Sequence, residues 1–501
     1  MAITPRLEKV TFQKSVEVTN KNKVECKLGV YEEDSEVLCS NARACLINTE
    51  ISDGEIRFNG KAIFNAVCVS GKELKKAESG VEFSFKFNSG IKEQNQTINL
   101  AEVEVLDVDV SKQNGVLIAT AVLLFKGEVL VEEENEQVST MSAGFLIKKN
   151  DAEKSEVVGK AQKTFTVQDD FEVQSKITDV ICHNEKVILS NCQSGIGCVI
   201  LDGEVEVLMA LKTVQEENNT ISEKRRIPFR FELELNEAMP NNIALSNVSV
   251  TNSSVKVYVD ENKNKSTVTV LIETNFSAVV YEINSFTYCE DAYSTTCNLK
   301  LDKALKTLET VVGSDIYEQK IVSDLAYYDE NALLTCVLND KIEELEASFK
   351  NGAISVKGAL SVSPLYNING ELKCQTSLVP FETSFNASSH NVKNVKCAIS
   401  NVEVEKVDGK FVCSFTLKVY YSRINLKTVN VLRKVEEGDK KKVNDSAISV
   451  YIASKGEDLW SVCKALNASE EVILASNSDL AFPLEKEERI LIYRELNKDE
   501  I

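Results

Sequence analysis

Apolar residues alternate with polar residues at three places along the chain, each time around a glycine. The glycines are Gly60, Gly203 and Gly358, which lie 143 and then 155 residues apart. A period of two is typical of strands that bury one face. The flanking apolar positions are Ile56, Phe58, Ala62 and Phe64; Val199, Leu201, Val205 and Val207; and Ile354, Val356, Leu360 and Val362. The pattern predicts three equivalent strands in a domain-sized repeat.

A phenylalanine follows each of these glycines at a similar distance. Phe83, Phe229 and Phe381 come 23, 26 and 23 residues after Gly60, Gly203 and Gly358. Each phenylalanine begins a further alternating run, and the differences in length fall in the polar stretches before it. The tripeptides are Val81-Glu82-Phe83, Ile227-Pro228-Phe229 and Val379-Pro380-Phe381. We interpret this agreement as one structural unit that occurs three times.

Each unit ends with two more alternating runs that are separated by a polar turn. The runs cover 103–110 and 116–125 in the first unit, 255–259 and 268–272 in the second, and 402–404 and 411–417 in the third. This arrangement predicts a β-hairpin in each unit.

These patterns predict a mainly β protein. Strand-forming residues dominate the runs, and only six prolines interrupt the 501 residues. We expect three tandem antiparallel β-sandwich or barrel-like domains at 1–148, 155–286 and 290–432, the first with a degenerate signature. Residues 433–447 are charged and contain few apolar side chains, so they predict a flexible linker. The alternative is a solvated loop packed on the third domain.

In the last segment, residues 448–495, the apolar residues no longer only alternate with polar ones; part of the segment has the three-to-four-residue spacing that is typical of helices. Val450 and Ile452 indicate a strand, and Gly456 a turn. Asp458 is placed to cap a helix with a stripe of apolar residues, and Ser469 to cap a second helix that begins with two acids. A closing strand follows, with alternating apolar positions. The helix stripe is Leu459, Val462, Cys463 and Leu466, and the closing strand is 489–493. The predicted order is strand, helix, helix, strand.

This segment resembles a LysM domain, a small fold that binds a ligand or partner without chemistry. The resemblance depends on the residues Gly456, Glu457, Asp458, Leu459, Trp460 and Asn477, and Trp460 is the only tryptophan in the chain. It implies that these six residues line a shallow binding groove. From 449 to 495 there are nine acids and five bases, which favours a basic protein surface as ligand. The alternative is that these charges form a solvated face.

The three β units resemble the SPOCS domain of spore-forming Firmicutes, with Pro228-Phe229 and Pro380-Phe381 as the matching signature. SPOCS-like repeats followed by a LysM-like segment resemble the spore envelope morphogenetic proteins. The resemblance implies expression in the mother cell, attachment to the forespore surface or spore coat, and binding to a basement-layer ATPase and other coat proteins.

Composition narrows the function further. The net charge of −20 disfavours nucleic acid and anionic membranes as partners. The start of the chain has no apolar signal region, and no apolar run is long enough to span a membrane, so we expect a cytoplasmic protein. None of the 14 cysteines lies in a CxxC motif. Most are expected to be small buried hydrophobes, although some could form crosslinks in an assembled extracellular shell.

No catalytic motif or cofactor site is predicted. The two histidines, His183 and His390, are too few for a three-histidine metal site. Gly195-Ile196-Gly197 lacks the third glycine of a dinucleotide fingerprint. Two hypotheses follow: a non-enzymatic scaffold of spore coat assembly whose LysM-like module docks a morphogenetic partner protein, or a peptidoglycan-binding protein anchored to the cell wall or spore cortex.

Overall fold

The computed structural model describes residues 5–31, 35–71, 73–91, 95–141, 145–214, 220–260, 265–325, 331–387, 391–441 and 448–493. In this part of the chain the protein is mainly β, as predicted, with antiparallel sheets and two short helices near the C-terminus. Long strands that alternate between buried and exposed side chains account for most of it.

The first six strands form two three-stranded sheets that enclose one apolar core. One sheet has the order β1–β6–β5 and the other β2–β3–β4. Large side chains such as Phe58, Phe64 and Phe125 fill the space between them. We call these strands repeat 1: β1 (Arg6–Val30), β2 (Glu36–Ser52), β3 (Glu55–Ser70), β4 (Glu73–Asn88), β5 (Asn95–Gln113) and β6 (Val116–Thr140).

The next six strands, repeat 2, have the same topology. The sheets are ordered β7–β12–β11 and β8–β9–β10, and a second apolar core lies between them. The strands are β7 (Phe145–Val173), β8 (Ile177–Ser194), β9 (Cys198–Thr213), β10 (Thr220–Glu234), β11 (Ile243–Asp260) and β12 (Lys265–Ser294).

Repeat 3 differs only in its fourth strand, which is divided into two pieces. One sheet has the order β13–β19–β18; in the other, β15 pairs with β14, β16 and β17. A third core lies between them. The strands are β13 (Cys297–Asp324), β14 (Leu333–Lys350), β15 (Ala353–Ile368), β16 (Glu371–Cys374), β17 (Ser377–Asn386), β18 (Asn391–Val407) and β19 (Lys410–Lys440).

The three predicted hairpins are confirmed, but the strands extend beyond the predicted units. The hairpins are β5–β6, β11–β12 and β18–β19. β7 begins at Phe145, inside the predicted first domain, and β12 ends at Ser294. The segment predicted as a linker begins inside β19, because its charged residues pair with the start of β13 and Val435 is buried there. Residues 442–447 of that segment lie outside the described residues.

The repeated glycine and phenylalanine are cross-strand partners. Gly60 pairs with Phe83, Gly203 with Phe229 and Gly358 with Phe381. At Gly203 an added Cβ would lie 2.8 Å from Cζ of Phe229 and 2.3 Å from the carbonyl oxygen of Ile188. At Gly60 the corresponding distances, to Phe83 and to Cys45 O, are 2.5 and 2.2 Å. Glycine is therefore required because a ring and a carbonyl group occupy the space of a side chain.

The same phenylalanine connects the two sheets of its repeat. Its ring meets a phenylalanine of the opposite sheet edge to face, a favourable arrangement for aromatic rings. The ring centroids are 5.5 Å apart for Phe83 and Phe125, 5.5 Å for Phe229 and Phe276, and 6.0 Å for Phe381 and Phe415.

Equivalent cysteines meet where the three repeats join. β2, β8 and β14 each have a register shift near the start, and the residue after it is Cys39, Cys182 or Cys336. Cys182 and Cys336 belong to an apolar cluster with residues from all three repeats, and Cys39 packs against it. Burial raises the pKa of Cys182 to about 12. In the reduced chain these side chains act as small hydrophobes, as predicted for most cysteines.

Polar contacts join each pair of repeats beside this cluster. Arg43 forms an ion pair with the buried side chain of Glu185, and Lys186 with the buried Asp340. Lys341 donates from Nζ to the carbonyl oxygen of Leu106 at 3.1 Å. Burial raises the pKa of Glu185, but the hydrogen bond and charge of His183 and the charge of Arg43 outweigh it and lower the pKa to about 2. The three repeats are thus packed on one another by apolar and ionic contacts.

We expect Gly203→Ala to destabilise the protein by about 1–3 kcal/mol, the usual cost of overpacking a filled site. Gly127→Ala is the matched control, because a Cβ on that strand glycine would find its nearest neighbours at 3.4 Å. Urea unfolding followed by far-UV circular dichroism measures both variants. Equal unfolding midpoints would show that the cross-strand phenylalanine can move aside.

Candidate functional site

The C-terminal module, residues 448–493, has the predicted strand–helix–helix–strand order. Its elements are β20 (Ile448–Ala453), α1 (Leu459–Leu466), α2 (Glu470–Ser476) and β21 (Glu488–Tyr493). β20 and β21 pair antiparallel, with Ile448 opposite Tyr493. Its core combines apolar side chains from both helices and both strands: Ala453, Val462, Cys463, Ala468, Ile473, Leu484, Ile490 and Ile492.

The two helices begin where the sequence predicts, but only one has a side-chain cap. The Asp458 carboxylate accepts a hydrogen bond from the backbone N–H of Ser461 at 2.8 Å. Ser469 occupies the N-cap position of α2, yet its side chain makes no capping hydrogen bond. Glu470 and Glu471 lie in the first turn of α2, where the helix dipole favours negative charge.

Gly456 and Glu457 lie in the loop between β20 and α1. Gly456 has a φ of +86°, which glycine adopts readily. Its N–H donates to the carbonyl oxygen of Leu484 at 2.7 Å, and the N–H of Leu484 donates to the carbonyl oxygen of Glu457 at 3.1 Å. The Glu457 carboxylate accepts from the Ser454 N–H at 2.6 Å and from the Tyr451 hydroxyl at 2.9 Å. This loop is therefore fixed against the loop that precedes β21.

Asn477 braces the backbone of the module. Its Nδ2 donates to the carbonyl oxygens of Ile473 at 2.8 Å and Leu491 at 2.7 Å, and its Oδ1 accepts from the Leu491 N–H at 2.9 Å. These three bonds connect the end of α2 to β21. A substitution at Asn477 would therefore disturb the fold as well as any groove.

Trp460, the residue most expected to meet a partner, contacts repeat 2 of its own chain. Its Nε1 donates to Asp291 Oδ2 at 3.0 Å, and its ring meets Tyr293 edge to face at 4.8 Å. Asp291 also accepts from Lys464 Nζ at 2.7 Å and from Lys303 Nζ at 2.9 Å. One carboxylate near the end of β12 thus binds two side chains of α1 and one of β13.

Further contacts extend this junction. The Tyr293 hydroxyl donates to the carbonyl oxygen of Ala468 at 2.7 Å, and Lys148 of β7 pairs with Asp458 at 3.0 Å. Tyr293 and Leu146 also pack against the apolar core of the module. We call this contact the Asp291 junction, formed by Lys148, Asp291, Tyr293 and Lys303 on the repeats and by Asp458, Trp460, Lys464 and Ala468 on the module.

Both carboxylates of the Asp291 junction are strongly stabilised as anions. Burial raises the pKa of Asp291, but hydrogen bonds from Lys464, Trp460 and Lys303 outweigh this effect and lower the pKa to about 2. The pKa of Asp458 is also lowered to about 2, first by its hydrogen bonds with Ser461 and then by Lys148. Both carboxylates are therefore ionised at neutral pH.

The six predicted site residues separate into four groups. Gly456 and Glu457 lie in the joined loops, and Asn477 braces α2 against β21. Asp458 and Trp460 contact repeat 2, while Leu459 packs on the module core. Asp291 and Tyr293 were missed, because an acid and a tyrosine at a strand end carry no sequence signal for a contact about 170 residues away.

The described part of the chain offers few other candidates for a catalytic or metal-binding site. The His183 side chain is buried and its Nδ1 donates to the Glu185 carboxylate, which indicates a structural role; His390 lies outside the described residues. No three His, Cys, Asp or Glu residues among those described are grouped as a metal site would require. No described helix has the length and apolar character needed to cross a membrane.

Sequence comparison with known proteins does not assign the chain to a family. The chain matches no protein-family model, and a search of curated proteins finds no significant relative.

We expect Asp291→Ala to weaken the Asp291 junction by about 1.5–3 kcal/mol, the usual range for a hydrogen bond to a charged group. Because Trp460 is the only tryptophan, its fluorescence reports directly on this contact. The variant should show red-shifted emission and stronger quenching by acrylamide. Asp302→Ala is the control, because Asp302 forms an exposed pair with Arg433. Unchanged emission in Asp291→Ala would contradict the junction.

The Asp291 junction should also open in acid. Asp291 and Asp458 have lower pKa values in the folded protein than the usual aspartate value of about 3.9, so they stabilise the junction above that pH. This stabilisation is lost as the pH falls toward about 2. We expect constant Trp460 emission from neutral pH to about pH 4 and a red shift below it. A red shift already complete at about pH 5 would assign the transition to other groups.

Proposed function

We propose that the chain is a non-enzymatic scaffold of spore coat assembly, and that its C-terminal module docks a morphogenetic partner protein. The expected partner is the basement-layer ATPase of the spore coat, with other coat proteins as further partners. The proposal rests on the resemblance to SPOCS-repeat and LysM proteins and on the way in which the module is attached to the repeats.

The Asp291 junction is the observation that carries the proposal. A scaffold positions its partners, so its binding module needs a defined orientation relative to the rest of the chain. The hydrogen bonds of Trp460 and Lys464 to Asp291, the ring contact of Trp460 with Tyr293 and the pair of Lys148 with Asp458 supply that orientation. A partner bound to the module would then lie at a fixed place beside repeat 2.

Charge favours a protein partner with a basic surface. The chain has a net charge of −20, and the module contributes eight acidic and four basic side chains between 448 and 493. Complementary charge accelerates encounter with a basic surface and disfavours acidic ones.

Peptidoglycan binding is the second candidate function. It is favoured by the two loops that the backbone hydrogen bonds of Gly456, Glu457 and Leu484 hold together, because the LysM resemblance places the ligand groove there. In this hypothesis the protein anchors to the cell wall or spore cortex, and the repeats act as spacers.

The two functions are separated by measuring binding of the full chain to the basement-layer ATPase of a spore-forming bacterium and, in parallel, to muropeptides. We expect binding to the ATPase and none to muropeptides. Lys455→Glu, an exposed change in the loop before α1, tests the groove. Binding to muropeptides alone, abolished by Lys455→Glu, would instead establish the peptidoglycan function.

A further inference from the structure

β4, β10 and β17 are equivalent strands, and each lies at the edge of its sheet. The residues that follow them, Ser89, Leu235 and Ala387, donate a backbone N–H to the glycine carbonyl just before β3, β9 and β15, at 2.8–2.9 Å. No register shift interrupts the three strand pairs. In antiparallel pairing, alternate residues bond to the neighbouring strand. The even-numbered residues of β4, β10 and β17 therefore direct their N–H and C=O groups away from it, toward the free edge.

A proline interrupts this free edge in repeats 2 and 3 but not in repeat 1. Pro228 and Pro380 occupy outward positions, where the missing N–H costs no bond within the sheet but prevents a further strand from pairing. Glu82 is the equivalent residue of β4, and it keeps its N–H. Among the described strands β4 pairs only with β3, so the outward groups from Gly80 to Asn88 have no strand partner. Of the three equivalent edges, β4 alone is open to strand addition.

The side chains along this edge are complementary to a second copy of themselves. Glu82, Ser84 and Lys86 are exposed at successive outward positions. When two β4 strands run antiparallel about Ser84, Glu82 of each copy lies directly opposite Lys86 of the other. Unlike charges in directly opposite positions stabilise a strand pair. Lys86 gains most from this neighbour, because its partner on β3 is the like-charged Arg57.

The other face of β4 also gains from this register. Phe85 and Phe87 lie on the inner side of β4 and are only half-buried in the single chain. In the same register Phe85 lies opposite Phe83 of the second copy, and Phe87 lies opposite Val81. Aromatic and β-branched side chains in such positions stabilise a strand pair. Pairing would therefore cover apolar surface at the open side of the repeat 1 core.

The contact that already uses this edge lies outside the paired segment. The Tyr31 hydroxyl donates to the outward carbonyl oxygen of Lys76 at 2.8 Å. Pairing about Ser84 places Gly80 opposite Asn88, so the paired segment covers residues 80–88 and stops short of Lys76. The bond from Tyr31 is therefore kept when a second strand is added.

We propose that two copies of the chain pair antiparallel through residues 80–88 of β4 and join their three-stranded sheets into one sheet of six strands. The same surface of each copy meets the other, so the contact closes as a dimer. The net charge of −20 opposes association at long range, but salt at about 0.15 M screens charges more than about 8 Å apart. This inference goes beyond the docking function and does not depend on it.

The first test introduces the proline of the other repeats. Sedimentation of the full chain in about 0.15 M salt, over a series of protein concentrations, should give a species of twice 55.6 kDa. We expect Glu82→Pro to weaken this dimer at least tenfold and to remain folded, because repeats 2 and 3 accept proline at the equivalent position. Glu232→Pro is the matched control, because it makes the same change at an exposed outward position of β10. Circular dichroism and urea unfolding check both variants.

The second test exchanges the charges. Glu82→Lys and Lys86→Glu should each weaken the dimer at least fivefold, because like charges then lie opposite each other. An equal mixture of the two variants should pair as a heterodimer, since glutamate again faces lysine at both positions. A label on one variant identifies the mixed species.

A monomeric unmodified chain at every concentration would overturn the second copy as the occupant. In that case, loss of partner-protein binding in Glu82→Pro alone would assign the edge to a strand of the partner instead. A dimer that persists in Glu82→Pro, or that is lost equally in Glu232→Pro, would overturn β4 as the contact. A mixture that pairs no better than either charge variant alone would overturn the register about Ser84.

Discussion

The close contact between a glycine and a cross-strand phenylalanine is the constraint on which each repeat depends. On one side of Gly203 lies the ring of Phe229, and on the other a carbonyl group of β8, next to a register shift in that strand. The ring can lie over the backbone only because glycine has no side chain. It then reaches Phe276 in the opposite sheet, so one residue sets both the strand pairing and the sheet packing. Gly60 and Gly358 repeat the arrangement.

This dependence explains why much of the β architecture could be predicted from the sequence. The glycine, the phenylalanine and the hairpin signals are local and occur three times, so chance agreement is improbable. The strand ends were harder to predict. β19 continues through charged residues as far as Lys440, because the start of β13, more than 100 residues earlier, supplies its backbone partners. Composition alone indicated a linker there, and tertiary pairing overrides that indication.

At the candidate site, too, local sequence signals predict the secondary structure but not the contacts between distant residues. Turn, cap and helix signals lie within 50 residues of one another, and they predict the strand–helix–helix–strand order and the cap at Asp458. Which group each side chain contacts depends on residues that are distant in the sequence. Trp460 is apolar, unique in the chain and half-buried, as a ligand platform would be, yet its indole N–H is bound to Asp291. Neither its spacing nor its neighbours in sequence distinguish a ligand contact from an internal one.

The internal use of Trp460 changes where a partner can bind. A module held by one helix face cannot offer that face to another protein unless the Asp291 junction opens, and at neutral pH both of its carboxylates are ionised and bound to cations. Attachment and recognition therefore require different surfaces. Strand alternation leaves a second face, because burying Ile490 and Ile492 under the helices turns Val450 and Tyr493 to the other side of the sheet. A two-stranded sheet with helices on one side thus combines a fixed attachment with a face that the attachment does not use.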